Sequence, residues 1–227
     1  MSINYTKQQI LDKLEQVKEN MPLFYNQGFV NYSGKTSDTK EYYTELVAEW
    51  LLANLKLLNS IPEITRTASY KTTNHKGTTP REQSNRIEER IAMAMFRHGK
   101  LPILGDVIDY QTPLKDIQKN NAGKIDLLTY DGQVLRILEL KTPDSKETML
   151  RCVLEAYTYL KTINAAKLLK NFSLPANTKI QACTLVHFER SQHKEMMDHR
   201  PYLEKLMKAL DCKHYYYLEP VQYLIIP

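Results

Sequence analysis

Apolar residues recur along the first sixty positions at the spacing of amphipathic helices, three or four residues apart. The first apolar stripe, over residues 6–20, consists of Ile10, Leu11, Leu14 and Val17. A second stripe, over residues 38–58, consists of Leu46, Val47, Trp50, Leu51, Leu55 and Leu58. The pattern predicts two helices, with Asp38 as the N-cap of the second. They form either an N-terminal helical segment, residues 1–60, or a flank that packs on the rest of the chain.

Residues 61–83 differ from the helical segment in composition. Thr, Asn, Ser, Gly and Pro dominate, which predicts a loop or linker. The positive charges in this stretch belong to Arg66, Lys71, Lys76 and Arg81. Two interpretations stay open, a solvated connector and a basic arm that contacts the phosphates of a nucleic acid.

Helix and strand patterns alternate over residues 84–227, which predicts a domain of the α/β class with a mixed sheet flanked by helices. The order is helix, strand, strand, strand, helix, strand. The first helix begins near Ser84, and its buried side consists of Ile87, Ile91, Ala92, Met95 and Phe96. The other elements are predicted at residues 101–110 with a turn near Gly105, at two hairpin strands up to residues 130 and 141, at a helix from Asp144 or Ser145 to Ile163, and at residues 179–188, 202–210, 214–218 and 221–226.

An Asp-Gly pair, Asp131-Gly132, separates two apolar, β-branched runs and is typical of a tight hairpin turn. A turn closed at this pair places Tyr130 near Gln133. Asp126 then lies near Ile137 or Leu138, within reach of Glu139.

Side chains alternate between the two faces of a strand, so Glu139 and Lys141 point the same way while Leu140 points into the core. With Asp126 nearby, two acids and a lysine share one patch at a sheet edge. Two carboxylates can hold Mg²⁺, which prefers oxygen ligands and can activate a bound water. The alternative is a surface hairpin with ordinary solvated charges.

A third carboxylate is expected on the helix that precedes the sheet. On a helical wheel Glu88 falls between Met95 and Ala92, inside the apolar sector, whereas Glu89 falls nearer its border. A carboxylate on an apolar face is costly unless it is paired or bound to a metal. Glu88 therefore either extends its carboxylate to solvent, pairs with an arginine such as Arg86 or Arg90, or is linked to a metal.

Composition narrows the class of protein without naming a function. The 227 residues carry a formal net charge of +5, which is compatible with a polyanionic partner. The three cysteines, Cys152, Cys183 and Cys212, are far apart and predict buried thiols rather than a zinc site or disulfides. No apolar run approaches the length of a membrane span, and the N-terminus has no signal-peptide pattern, so we expect a soluble, cytoplasmic protein with no membrane partner.

Asp126 followed by Glu139-Leu140-Lys141, within this order of elements, resembles the PD-(D/E)XK nuclease superfamily. The resemblance covers residues 84–188. It implies the restriction-endonuclease-like αβββαβ core, with Asp126 and Glu139 as ligands of Mg²⁺, for which Mn²⁺ substitutes. Lys141 is then the catalytic lysine that assists the attacking water, and Glu88, or less favourably Glu89, is an outer metal ligand.

The chain departs from the superfamily pattern at two places. Ile125 stands where many members have proline before the aspartate. Glu155 and Tyr159 have the spacing of the Gln-x-x-x-Tyr pattern of one subgroup, with Glu in place of Gln, so no subgroup is assigned.

The function predicted from these residues is metal-dependent hydrolysis of phosphodiester bonds, with DNA as the partner and a homodimer possible for cutting both strands. The alternative is a catalytically inactive protein of the same fold that binds nucleic acid or another protein. A further hypothesis makes the helices of residues 1–60 an interaction module that directs the nuclease to a partner. Lys141 is expected to act in the chemistry and not in holding the protein together.

Overall fold

A seven-stranded mixed sheet forms the centre of the molecule in a computed structural model that describes residues 4–72, 86–116, 123–218 and 224–226. The strands lie side by side in chain order, and β1 to β4 are antiparallel, β4 to β6 parallel and β6 to β7 antiparallel. Their bounds are β1 Lys100–Leu101, β2 Gly105–Pro113, β3 Lys124–Tyr130, β4 Val134–Leu140, β5 Lys179–His187, β6 Lys213–Leu218 and β7 Leu224–Ile226.

Helices cover both faces of this sheet. They are α1 Lys7–Val17, α2 Tyr43–Ala53, α3 Leu55–Asn59, α4 Ile87–His98, α5 Met149–Thr162, α6 Ala165–Asn171, α7 Ser191–Met197 and α8 Pro201–Ala209, with two 3₁₀ turns at Met21–Asn26 and Gly28–Asn31. Among the described residues, none of these helices has the length and apolar character that a membrane crossing requires. The α/β class with a mixed sheet flanked by helices is as predicted, but from α4 to β5 the chain has four strands and then two helices before β5, where three strands and one helix were predicted.

Alternate residues of the central strands enter two separate apolar cores. On one face Leu127, Leu138 and Leu140 pack with Ile91 and Met95 of α4. The opposite face carries Leu128, Ile137 and Val186, which pack with α5 and with the N-terminal helices. Because β3 and β4 are covered on both sides, a polar side chain on either strand is removed from water and needs a partner within the protein.

The N-terminal helices pack as a flank on the sheet domain. Glu45 of α2 accepts hydrogen bonds from the backbone N–H groups of Tyr202 and Leu203, each at 3.0 Å, at the start of α8. Asn31 accepts one from the N–H of Thr148 at 2.8 Å, at the start of α5. Side chains of the first sixty residues thus satisfy the free N–H groups at the ends of helices that come much later in the chain.

Residues 61–72 have no regular secondary structure and are largely exposed, but Ile61, Arg66 and Tyr70 are buried and fix the segment to the rest of the chain. Tyr70 is fully buried, and its hydroxyl accepts a hydrogen bond from the N–H of Asn164 at 3.0 Å. Arg66 is also buried, donates to the carbonyls of Lys115 and Ser69, and lies 3.4 Å from the Asp116 carboxylate. Arg66 is therefore not available as a phosphate-binding cation of a basic arm, and that interpretation is wrong for this residue.

Of the other three cations in the predicted linker, only Lys71 is described, and its side chain is exposed. Lys76 and Arg81 lie outside the described residues, as does Ser84, the predicted start of α4. The basic arm stays a prediction at those positions.

Two predicted helix starts are wrong because local turns delay them. Asp38 does not cap α2, which begins at Tyr43, but instead accepts a hydrogen bond from the N–H of Lys7 at 3.0 Å, at the start of α1. Neither Asp144 nor Ser145 caps α5, because Pro143 stands in a turn in which the N–H of Ser145 bonds to the carbonyl of Thr142 at 3.1 Å. Thr148 is the cap, and it accepts from the N–H of Arg151.

The strand predicted at residues 101–110 is two strands, β1 and β2, separated by a turn at residues 102–104, and β2 continues to Pro113. Two short helices, α6 and α7, were not predicted. Each is seven residues long, too short for a periodic apolar pattern to stand out.

The hairpin between β3 and β4 has a wider loop than the Asp-Gly pair predicts. The Asp131 carboxylate accepts hydrogen bonds from the N–H groups of Gln133 and Val134 at 2.9 and 2.8 Å, so four residues form the loop. Tyr130 consequently pairs with Leu135 and not with Gln133. This shift of two positions moves Asp126 from opposite Ile137 to opposite Glu139.

Two glycines of positive φ provide a test of this hairpin. A Cβ at Gly105, whose φ is +85°, would overlap the backbone of Tyr130 and Asp131, whereas a Cβ at Gly132, whose φ is +98°, meets nothing. We expect Gly132→Ala to cost about 1–2 kcal/mol of unfolding free energy from backbone strain alone. Gly105→Ala should cost clearly more, as measured by denaturant unfolding. Equal losses for the two variants would contradict the close packing of β2 on the hairpin loop.

Candidate active site

A cavity of about 540 Å³ opens at the carboxyl end of β4, between α4 and α5. It is lined by Arg86, Ile87, Glu88, Glu89, Gln111, Lys124, Asp126, Glu139, Lys141, Thr142, Asp144, Glu147, Arg151, Glu155 and Tyr159. All four residues singled out from the sequence as catalytic or metal-binding are among them. The patch lies at the end of the middle strand of the sheet and not at a sheet edge, because three strands lie on each side of β4.

Asp126 is held on β3 by two hydrogen bonds that fix both carboxylate oxygens. Oδ2 accepts from the N–H of Leu140 at 2.9 Å, and Oδ1 accepts from the side-chain amide of Gln111 at 2.8 Å. Gln111 stands opposite Asp126 in the β2–β3 register and has a φ of +50°, a left-handed conformation that is unfavourable for a residue with a side chain. The residue of β2 with this unfavourable backbone conformation is thus the one whose side-chain amide donates to the Asp126 carboxylate.

Glu139 and Lys141 point to the same face, as the alternation of the strand predicts, while Leu140 is fully buried on the other. Their side chains are 4% and 6% exposed, and Lys141 Nζ lies 2.6 Å from Glu139 Oε1. The end of the strand is fixed by its neighbours, since the N–H of Lys141 donates to Leu185 of β5 at 3.0 Å and its carbonyl accepts from the Tyr217 hydroxyl of β6 at 2.9 Å.

The ammonium of Lys141 lies among four carboxylates. Besides Glu139, Nζ lies 2.9 Å from Glu147, 3.7 Å from Glu88 and 3.8 Å from Glu155. A buried charge with this many partners contributes to the fold, because removing it leaves the acids uncompensated. Substitution of Lys141 is therefore expected to change stability as well as any chemistry, which corrects the expectation that it acts in chemistry alone.

Glu88 and Glu89 differ in orientation, but the deeper burial of Glu88 that the helical wheel predicts is wrong, because its side chain is 41% exposed and that of Glu89 is 31% exposed. Glu88 points toward the ammonium of Lys141, whereas Glu89 lies 3.5 Å from the guanidinium of Arg86. Of the two glutamates, it is therefore Glu89 that forms the expected arginine pair. Ile87, predicted to be buried, is 46% exposed and stands beside Glu88 in the wall of the cavity.

Glu147 and Glu155 complete the acidic lining, and the sequence did not single them out as site residues. Glu147 lies in the extended segment before α5, where no periodicity reveals its direction. Glu155 accepts a hydrogen bond from the Tyr159 hydroxyl at 2.6 Å, so the Glu-x-x-x-Tyr spacing was the signal for it. Gly123 leaves room for Tyr159, because any side chain at Gly123 would overlap the phenol ring.

The excess of acids changes the protonation of the cluster. Burial raises the pKa of Asp126 to about 7, although Lys141 and the N–H of Leu140 oppose the rise. The pKa of Glu139 is raised well above its ordinary value by burial and by the charge of Glu155. Burial alone would lower the pKa of Lys141, but the surrounding groups, Glu139 first, raise it well above its usual range. The cluster thus favours additional positive charge.

The oxygen atoms of the acidic residues are of the kind that a hard divalent cation binds. Their positions in this structure, however, do not converge on one point. All the acidic groups offer oxygen, and the buried Oε2 of Glu155 accepts no hydrogen bond. Within the described parts of the chain, however, no three side chains of His, Cys, Asp or Glu converge as a ready metal site. The ammonium of Lys141 takes the central position, so a cation can bind only if that ammonium gives up some of its contacts.

No family model matches the chain, and neither a curated protein nor a solved structure matches it. The functional argument therefore rests on the geometry of this cavity.

The raised pKa of Asp126 predicts a pH dependence of stability. Between the unfolded pKa near 3.9 and the folded value of about 7, the folded protein retains a proton that the unfolded chain releases. Stability is therefore lost as the pH rises through this window, by at most roughly 1.4 kcal/mol per pH unit. In EDTA, Asp126→Asn should gain stability over wild type from pH 5 to 7, with the gain constant above about pH 7.5.

Denaturant unfolding of both proteins from pH 5 to 8 measures this difference. Asp144→Asn, at an exposed carboxylate on the rim of the same cavity, is the control and should follow the wild type throughout. A constant difference between Asp126→Asn and wild type over the whole range would show that Asp126 is ionised in the folded protein.

Proposed function

We propose that the protein is a Mg²⁺-dependent nuclease that hydrolyses phosphodiester bonds in DNA, and that its α4–β2–β3–β4–α5–β5 core is of the restriction-endonuclease-like, PD-(D/E)XK type. One observation carries the proposal. Asp126 and Glu139 stand opposite each other on the two middle strands, with Lys141 two residues further along the same face, in one cavity. The charge of +5 supports a polyanionic partner.

Asp126 and Glu139 are the residues that would hold the metal, with Glu88 as an outer ligand and Glu155 as a further oxygen donor. When bound, Mg²⁺ lowers the pKa of a coordinated water and polarises a phosphoryl oxygen. Gln111 and the N–H of Leu140 orient the Asp126 carboxylate before any ligand arrives. Such hydrogen bonds to a ligand carboxylate are the usual means of fixing its direction.

Lys141 has two tasks in this proposal. In the protein without ligand, its ammonium offsets the charge of the carboxylates around it. In the reaction, Nζ donates a hydrogen bond to the attacking water and stabilises the negative charge that develops on the phosphoryl oxygens. Glu147, 2.9 Å from Nζ, keeps the ammonium near the strand end while its other contacts change.

A second candidate function is a catalytically inactive protein of the same fold that binds nucleic acid or another protein. The central position of the Lys141 ammonium favours it, because the carboxylates are already neutralised in part without a metal. Calorimetric titration with Mg²⁺ and Mn²⁺ distinguishes the two functions, since an inactive scaffold has no reason to bind either ion at this cavity. Nucleases of this size often cut both strands of a duplex as dimers, so a homodimer belongs to the nuclease proposal and is tested by light scattering.

Cleavage assays test the proposal directly. With supercoiled, linear and single-stranded DNA and with RNA, we expect DNA cleavage in Mg²⁺ or Mn²⁺ and none in EDTA. Asp126→Asn and Glu139→Gln should abolish it, and Lys141→Met should lower turnover roughly a hundredfold per folded molecule, as for loss of one preorganised donor. Asp144→Asn is the matched control and should cleave like the wild type. Cleavage of RNA but not of DNA would show that the substrate is RNA. Nicking by Asp126→Asn at the wild-type rate would refute the role of Asp126 as a metal ligand.

The two neighbouring glutamates of α4 give a second test. Glu88→Gln should reduce Mg²⁺-dependent turnover because its carboxylate faces Lys141, while Glu89→Gln should retain it because that carboxylate pairs with Arg86 instead. Turnover is measured for both variants over a Mg²⁺ titration, in which Glu88→Gln should also need more metal. The opposite order of effects would mean that the outer ligand is Glu89.

A further inference from the structure

The cavity carries a charge problem for any nucleic acid that enters it. Its lining includes seven acidic residues and four basic ones, so it repels a polyanion unless a cation at the mouth is free to bind a phosphate. The four basic residues are Arg86, Lys124, Lys141 and Arg151.

Three of these cations already have partners. Lys141 lies at the centre of the carboxylates. Arg151 forms an ion pair with Glu147 at 2.9 Å and donates to the carbonyl of Tyr25 at 3.2 Å. Arg86 lies 3.5 Å from Glu89. A phosphate bound by any of them would compete with a carboxylate that the cation already contacts.

Lys124 differs from the other three. Its ammonium forms no hydrogen bond or ion pair in the described chain, although the side chain is half-buried in the wall of the acidic cavity. A lysine held in such a place without a carboxylate partner loses side-chain freedom without a compensating contact. A ligand anion would supply that contact.

The position of Lys124 on β3 defines which phosphate it can reach. It is the first residue of the strand, paired with Pro113 of β2, and it precedes Asp126 by two residues. Two residues along a strand span about 6.8 Å and point to the same face. The ammonium therefore lies beside the proposed metal ligands and not among them.

We propose that Lys124 binds a backbone phosphate of the substrate strand adjacent to the phosphate that is hydrolysed. This inference rests on the proposed function for the identity of the strand. Because the contact is to the backbone, it is independent of base sequence and makes the affinity sensitive to salt. Lys124 is thus a positioning residue, which affects binding and not the chemical step.

Anisotropy titrations of a short labelled oligonucleotide, single-stranded and duplex, test the inference over a salt series, in EDTA and again with Ca²⁺ in place of Mg²⁺. Lys124→Ala should weaken binding about tenfold, the effect of losing one charged hydrogen bond. The slope of log affinity against log salt should become shallower by about 0.9 for duplex and about 0.7 for the single strand. Lys124→Arg should retain both affinity and slope.

Lys161 supplies the matched control. It is a half-buried lysine near the end of α5 that has no partner in the described chain and does not line the cavity, so Lys161→Ala should bind like the wild type. Thermal melting of each variant confirms that the fold is unchanged. At saturating DNA the turnover of Lys124→Ala should equal that of the wild type, with the loss confined to KM.

An unchanged salt slope for Lys124→Ala overturns the inference, as does a fall in turnover at unchanged affinity, or wild-type protein that binds neither oligonucleotide. If the protein cleaves DNA but the slope is unchanged in Lys124→Ala, the proposed function stands and Lys124 does not bind a phosphate. If the slope depends on Lys124 but the protein cleaves no nucleic acid, Lys124 binds a phosphate and the proposed nuclease function fails.

Discussion

A single buried ammonium balances the carboxylates that the fold gathers at the centre of the molecule. Lys141 Nζ contacts glutamates from β4, from α4, from α5 and from the segment before α5. Desolvating these charges is expensive, and their attraction compensates only while the whole set is present. Both helical layers and the middle of the sheet therefore meet at one electrostatic contact.

The ammonium of Lys141 only partly offsets the cost of burying these carboxylates. The cavity contains more acidic groups than cations, so burial and mutual repulsion raise the pKa of Asp126 and of Glu139. Neutral side chains in place of some of these acids would lower the cost of burying like charges together, so the cluster is not the arrangement of greatest stability.

The periodic side-chain directions of strands and helices were enough to predict which residues share the centre of the site. The register of the hairpin was not predictable in this way, because it depends on the geometry of the loop. Residues two apart on a strand point to the same face whatever surrounds the strand, so Glu139 and Lys141 lie together. Neighbouring residues on a helix point in different directions, so Glu88 and Glu89 diverge. The register of the hairpin depended instead on the Asp131 carboxylate, which accepts two N–H groups and widens the loop.

These patterns did not predict features that depend on contacts between residues far apart in the sequence. Glu147 lies outside any periodic element, and the burial of Arg66 depends on Lys115 and Asp116, about fifty positions later in the sequence. Tertiary contacts of this kind follow only from the folded arrangement. The α/β class and the longer elements were predictable because apolar periodicity indicates them.

The caps that the N-terminal helices provide bear on how the chain acquires its structure during synthesis. Asn31 reaches a partner 117 positions later, and Glu45 reaches one 158 positions later. While the chain leaves the ribosome, the first sixty residues have apolar faces but no surface to bury them against. Contacts so distant in sequence form slowly, and surfaces exposed in the meantime are prone to aggregation. The N-terminal helices can therefore complete their packing only after α8 has been synthesised.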